Sequence, residues 1–333
     1  MPTPTERATN QRGRGLTSGP EPDDATAMID LPGLLERTSR TFALSIPRLP
    51  EPTRLAVTLA YLLFRLADTF EDAAAWTRAR RAEALADLLD LLADPPVAPR
   101  GRAAALAAAW SAGRPAEHDG YLDLVAATPE LLDALGGLTA PARAIVLRHA
   151  RRTAEGMRGF VDRSDERGGL RLATLGDLRD YCYVVAGIVG EMLTDLFVHE
   201  APALRDPAVE AALRAGSRAF GEGLQLVNIL KDADDDARDG RAYLPPDTTR
   251  AAVLALARAD LAAATEYVLT LQRAGGPRGY VEFTALPVLL AREALALLER
   301  DGPGARLPRG RVMALVSELD QRLDAGAPAI GAP

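Results

Sequence analysis

From about residue 28 to residue 323 the chain repeats one pattern, with apolar side chains three and four positions apart and charged or small residues between them. That spacing gathers the apolar groups on one side of a 3.6-residue turn, so it predicts amphipathic helices. The pattern runs over 28–45, 52–74, 77–93, 101–112, 119–135, 140–160, 174–199, 206–236, 249–273, 281–299 and 308–323. Turn formers interrupt it at Pro50–Pro52, Pro95–Pro96, Gly136–Gly137, Gly168–Gly169, Pro245–Pro246, Gly275–Pro277 and Gly302–Pro303. The sequence shows neither a strand-like alternation nor a repeat period. Short connections and an undivided middle predict an all-α, single-domain unit over 28–323. Residues 1–27 are polar, rich in Pro, Gly and Thr, and lack the apolar segment of a signal peptide. They read as a disordered leader, and 324–333 as a flexible tail.

Composition narrows the function. Hydrophobic residues are 48% of the 333, enough for a substantial core, and charged residues are 26%, as in soluble globular proteins. The net charge of −7 comes without a dense basic stripe, which argues against a nucleic-acid partner. The single cysteine, Cys182, excludes an internal disulfide and a zinc site needing two thiolates, and fits a reducing cytoplasm. No uncharged run reaches the roughly 18 residues of a membrane span. Contact with a membrane is therefore expected to be peripheral, at the inner surface. The sequence does not set an oligomeric state.

Two acidic segments carry the candidate chemistry. Asp68-Thr69-Phe70-Glu71-Asp72 ends an apolar run from Leu55 to Ala67, and Asp232-Ala233-Asp234-Asp235-Asp236 ends one from Leu224 to Leu230. In each, an Asp is followed by carboxylates three and four positions later. On a helix, those three lie one turn apart on one face and repel by about 0.2–0.5 kcal/mol per pair. Hard divalent cations with oxygen ligands compensate such a face, and magnesium takes one or two carboxylates plus water and substrate phosphates. Solvated helix ends are the plainer alternative. Arg65, Lys231 and Arg241 flank the segments as phosphate ligands or as ordinary ion pairs. Gln225 and Asn228 are polar interruptions of an apolar helix and need partners if buried. Near Tyr181, Gly187 and Gly190 interrupt a helical run, either for a close helix crossing or for a pliable cavity wall.

Taken in order, these stretches resemble the squalene/phytoene synthases, the head-to-head branch of isoprenoid synthases. The resemblance rests on Ser39-Arg40-Thr41-Phe42-Ala43, on Tyr61 through Asp72, on Tyr181 through Gly190, and on Leu224 through Asp232 with Arg241-Ala242-Tyr243-Leu244-Pro245. Phe283-Thr284-Ala285-Leu286-Pro287 is a weaker fifth. It implies an isoprenoid-synthase helical bundle around a central apolar cavity, with magnesium (or manganese in its place) held by Asp68, Glu71, Asp72, Asp232, Asp235 and Asp236. It further implies that Ser39, Arg40, Phe42, Tyr61, Arg65, Gln225, Asn228, Lys231, Arg241 and Phe283 surround prenyl diphosphate. Tyr181 is implied as a catalytic residue beside Asp68, Asp72, Asp232 and Asp236.

The implied reaction condenses two farnesyl diphosphates to presqualene diphosphate and then, with hydride from NADPH near Arg306 and Arg309, forms squalene. The stretches at 39–46 and 185–197 resemble squalene synthases more than phytoene synthases. Phytoene or dehydrosqualene formation without hydride is an alternative, as is a relative that halts at presqualene diphosphate or cyclises its cation. A di-metal carboxylate bundle would want Glu-x-x-His pairs, a spacing that His118, His149 and His199 do not have.

Overall fold

In chain order the helices are α1 (Leu31–Thr38), α2 (Phe42–Ser45), α3 (Thr53–Glu71), α4 (Arg78–Leu91), α5 (Arg100–Ala112), α6 (Asp119–Ala126), α7 (Thr128–Ala134), α8 (Ala140–Arg163), α9 (Leu175–Cys182), α10 (Ile188–Glu200), α11 (Pro207–Arg238), α12 (Arg250–Arg273), α13 (Arg278–Asp301) and α14 (Arg309–Asp324). The structure, a computed structural model, describes residues 29–39, 41–93, 100–166, 168–238 and 240–331. The leader expected over 1–27 and the candidate Arg40 lie outside the described residues. Among those residues the only β pairing is one parallel bridge between Arg171 and Ala242. The all-α expectation is met.

Local chemistry starts the helices where the sequence breaks. The hydroxyls of Thr77, Thr139, Thr174 and Thr249 accept backbone N–H groups of the first turns of α4, α8, α9 and α12. Each such cap is worth about 1 kcal/mol. At α9 the cap is reciprocal, with Asp177 returning a bond to the Thr174 main chain.

Two predicted helices are divided. The stretch 28–45 breaks at Ser39, which is extended (φ −139°, ψ 145°) and whose Oγ accepts the Phe42 N–H at 2.9 Å. The stretch 119–135 breaks at Ala127, just before Pro129 in the first turn of α7. Proline cannot supply an N–H to the preceding turn, so it starts a helix rather than continuing one.

Helix α3 organises the core. Leu59, Leu62, Leu63, Leu66 and Phe70 are at most 1% exposed, and Phe70 packs on Trp110 at 4.7 Å and Trp76 at 5.8 Å. Its sealed flanks leave Tyr61, Arg65, Asp68 and Asp72 as an incompletely buried stripe at i, i+4, i+7 and i+11. Along α11 the incompletely buried positions Gln225, Asn228, Asp232, Asp235 and Asp236 recur with the same periodicity.

Helices α9 and α10 are joined through a π-turn at Tyr183–Gly187, so Leu175–Glu200 is continuous. It is long and apolar enough to cross a membrane, but it is mostly buried among its neighbours. It crosses α11 at backbone contact. A Cβ on Gly190 would strike the Ser217 carbonyl, and one on Gly221 would strike that of Ala186. Of the two readings of the glycines, close crossing is the one realised at Gly190.

Residues 327–330, within the stretch 324–333 expected as a flexible tail, are packed against the helices. Gln272 clasps 327–329, with Nε2 donating to the Ala327 carbonyl at 2.9 Å and Oε1 accepting the Ala329 N–H at 2.8 Å. Ala329 and Ile330 are buried to 0% and 1% exposure. A short Ala-Ile apolar patch satisfied by one glutamine is too small a signal to stand out in composition.

Candidate active site

The stripe of α3 begins with Tyr61, whose hydroxyl donates to the Thr38 carbonyl at 2.8 Å and whose ring lies 5.5 Å from Phe42. Phe42 in turn lies 6.4 Å from Phe283, which is fully buried against the edge of Phe197. One turn beyond Tyr61, Arg65 sits 5.8 Å over the Tyr61 ring and 5.5 Å over that of Tyr121, and binds Asp68 at 2.5 Å. Tyr121 was not singled out by sequence, because a lone tyrosine in α6 has no motif around it.

Glu71 is 8% exposed at the end of the stripe. Burial, together with the neighbouring carboxylates Asp72 and Asp68, holds its carboxyl well above the usual range. Asp72 keeps 45% of its side chain exposed, yet the atoms packed around it and the charge of Asp68 push it up to about 7. Such a group of carboxylates invites a cation.

In the second stripe Asn228 Oδ1 accepts from Lys231 Nζ at 3.1 Å, and Lys231 lies 3.2 Å from Asp232. Arg238 binds Asp235 at 2.5 Å. Gln225 is half-buried on the same helix.

Arg241 draws the two motifs together. Its Nη1 donates to Asp72 and its N–H donates to the Asp236 carbonyl at 2.8 Å. The carboxylates of Asp72 and Asp236 are close enough that the charge on Asp236 contributes to the raised Asp72 pKa.

Tyr181 is 5% exposed behind the first motif. It stacks on Tyr243 at 4.8 Å, donates to that hydroxyl at 3.2 Å, and meets Phe160 edge-on at 5.1 Å. Burial, then the charge of Glu71, pushes its phenol well above 10, so it stays protonated. Tyr243 belongs to the same cluster, and its place in the Arg-Ala-Tyr-Leu-Pro stretch was the available signal. Phe160, Arg241, Tyr243, Glu71 and Asp72 wall a hollow of about 10 Å³, room for one water.

Arg306 reaches the second motif from the loop after α13, with Nη2 at 3.3 Å from Asp232 and 3.2 Å from Asp235. Arg309, by contrast, is exposed at the start of α14. The two arginines named as the NADPH contact thus have different surroundings, Arg306 among the carboxylates of the second motif and Arg309 at an exposed helix start.

Magnesium is a different case. Among the described residues no three His, Cys, Asp or Glu side chains converge into a closed metal cage. The donors nevertheless suit an ion that takes one or two carboxylates from each side and completes its shell with water and phosphate. All six carboxylates lie on two motifs that share Arg241.

An all-helical bundle presenting two acidic motifs to one another defines the class of the chain, and comparison with known proteins gives its family. The family model for squalene/phytoene synthase matches residues 35–254. The chain belongs to the squalene/phytoene synthase family. It is 27% identical over 212 residues to the squalene synthase of Schizosaccharomyces pombe, covering 64% of this chain and 43% of that protein. With the squalene synthase of Bos taurus it shares 29% over 215 residues, 64% of this chain and 45% of that one. A phytoene synthase of Zea mays is 36% identical over 126 residues, 38% of this chain and 28% of that one. The chain thus spans less than half the length of these curated relatives. In fold it is similar to a solved complex of TcSQS with BPH1237, at TM-score 0.65 and 23% identity over 88% of this chain and 87% of that one. A dehydrosqualene synthase complex superposes at TM-score 0.53 and 18% identity, covering 89% and 95%.

Proposed function

We propose that the chain is a magnesium-dependent prenyltransferase that joins two farnesyl diphosphates head to head through presqualene diphosphate. With NADPH as hydride donor, it then forms squalene. The observation that carries this reading is Arg241, which bonds to Asp72 of one motif and to the main chain of Asp236 in the other. The longer matches to squalene synthases than to a phytoene synthase support the product.

Asp68, Glu71 and Asp72 on one side and Asp232, Asp235 and Asp236 on the other would hold magnesium, or manganese in its place. The bound metal would neutralise charge on a departing diphosphate. The chain's own cations do the complementary work. Arg65, Lys231 and Arg241 pair with these carboxylates. Once metal takes the carboxylates, the same groups are free to bind phosphate oxygens. Tyr61 and Phe42 offer ring faces beside Arg65 for the prenyl chain and its cation. Tyr181, held protonated by burial, orients through Tyr243 rather than accepting a proton. The released diphosphate is the available base.

A second reading ends in dehydrosqualene, by proton loss without hydride. The pairing of Arg306 with Asp232 and Asp235 favours it. Purified protein with farnesyl diphosphate and magnesium, extracted and read by mass spectrometry, separates the two. Squalene only with NADPH, and presqualene diphosphate without it, is the expected result. A product indifferent to NADPH overturns squalene formation, and no product from farnesyl diphosphate overturns the substrate.

A further inference from the structure

Arg81 is the charged side chain of α4 that the fold buries, at 2% exposure. Taking a guanidinium out of water costs several kcal/mol unless its donors are used. Arg81 Nη1 donates to the main-chain carbonyl of Glu71 at 3.1 Å, in the last turn of α3, where carbonyls lack partners within the helix. Its Nη2 donates to Ser164 Oγ at 3.0 Å and to the Asp165 carbonyl at 3.3 Å, where the loop after α8 begins. Gly168, at φ +89°, lets that loop pass close to the guanidinium, since a Cβ there would lie 3.2 Å from Nη1.

Further along, the same loop pairs with the segment behind the second motif. Ala242 N–H donates to the Leu170 carbonyl at 2.8 Å, and Leu172 N–H donates to the Ala242 carbonyl at 3.0 Å. Ala242 follows Arg241, which holds Asp72 and the Asp236 main chain. The contacts therefore close a ring: Glu71, Arg81, Ser164 and Asp165, Leu170, Ala242, Arg241, Asp72. The Arg81 side chain also faces the small hollow walled by Glu71, Asp72, Arg241 and Tyr243.

We propose that Arg81 is a positioning residue, which locks the end of α3 to Ser164 and Asp165 and thereby fixes how the two acidic motifs face one ligand. It touches neither metal nor substrate. This inference rests on the metal-dependent reading of the site.

Binding of Mn2+ to the purified full chain, followed by the paramagnetic resonance of free Mn2+, tests it without turnover. Arg81→Gln is expected to weaken binding about tenfold, the lower end of what losing an outer support of a metal site costs. Arg81→Lys should recover part of that loss. Arg78→Ala is the control. Arg78 holds the same loop from outside, through the Ser164 carbonyl at 3.3 Å and Glu166 at 2.7 Å, and no bond runs from it to Glu71. It should bind Mn2+ as wild type does. Should Arg81→Gln fail to fold by circular dichroism, Arg81→Lys and Ser164→Ala carry the comparison, with a graded loss expected. Folded Arg81 variants with wild-type affinity overturn the proposal, because the arginine would then be a stabilising contact alone. An equal loss in Arg78→Ala overturns it as well, by assigning the effect to the loop as a whole. Wild-type protein that binds no Mn2+ defeats the metal reading itself, an outcome distinct from either of these.

Discussion

Asp68, Glu71 and Asp72 end a helix sealed on its other sides, whereas Asp232, Asp235 and Asp236 occupy the last turns of a helix running out toward solvent. Glu71 is 8% exposed, while Asp235 keeps 47% of its side chain in water. The first motif is held partly by distant chain, through Arg81 and Arg241, and it rests on Phe70. The second is met mainly by its own neighbours, Lys231 and Arg238, with Arg306 reaching in from a loop. One spacing thus serves two purposes. In the first motif one carboxylate, Glu71, is buried before any ligand arrives and carries the electrostatic cost of its burial, while Asp68 and Asp72 keep 32% and 45% of their side chains in water. The second motif buries none of Asp232, Asp235 and Asp236, and its cations can be exchanged.

The largest effect should be common to both motifs. Asp68→Ala and Asp232→Ala are each expected to lower product formation about a thousandfold at saturating magnesium, the loss of roughly 4 kcal/mol of transition-state stabilisation. Full turnover in one of them would break the symmetry between the motifs. Stability should separate them instead. Phe70→Ala beneath the first motif is expected to cost about 3–5 kcal/mol in urea unfolding. Arg238→Ala beside the second should stay within about 0.5 kcal/mol.

A smaller contrast involves charge alone. In EDTA, Glu71→Gln removes a buried carboxylate that its neighbours oppose, and should raise the thermal midpoint by about 2 °C, the shift from roughly 1 kcal/mol in a chain of this size. Asp235→Asn should leave the midpoint in place. A fall in the Glu71→Gln midpoint would show that the carboxylate is structurally needed.

The smallest effect is in pH, because Asp72 keeps 45% of its side chain in water, which screens its charge. The Asp72 carboxyl is raised from 3.8 to about 7 by the atoms packed around it and by Asp68, so the folded chain binds that proton more tightly than the unfolded chain. Its contribution is fully present below about pH 4 and is lost as pH rises through 7. Metal-free protein should therefore lose stability across that window, and Asp72→Asn should flatten the dependence.

Much of this was legible in the sequence. Helix patterns recovered most elements to within a few residues, because an apolar stripe every three or four positions survives whatever it packs against. Where they erred, a local competitor won: the Ser39 hydroxyl over helix continuation, and Pro129 over an apolar run. The acidic motifs were visible because repeated carboxylate spacing is rare at the end of an apolar helix. Arg81 was not, since within Arg78-Ala79-Arg80-Arg81 it reads as one more solvated cation. Only the third dimension sets it apart from Arg80, which pairs with Glu83 at 3.0 Å on the outside. Arg306, read as a cofactor contact, lies beside Asp232 and Asp235, a placement its loop position does not announce.

The crossing of α10 and α11 gives the site a spacer with no adjustable parts. Because Gly190 meets the Ser217 carbonyl and Gly221 meets that of Ala186, the gap between these helices equals the thickness of two bare backbones. Larger side chains elsewhere can be traded by a methylene at a time, but here the first carbon already overshoots. No side-chain exchange at these two positions can therefore retune the spacing, and the offset of the segment carrying Tyr181 from the helix carrying the second motif is set by main chain alone.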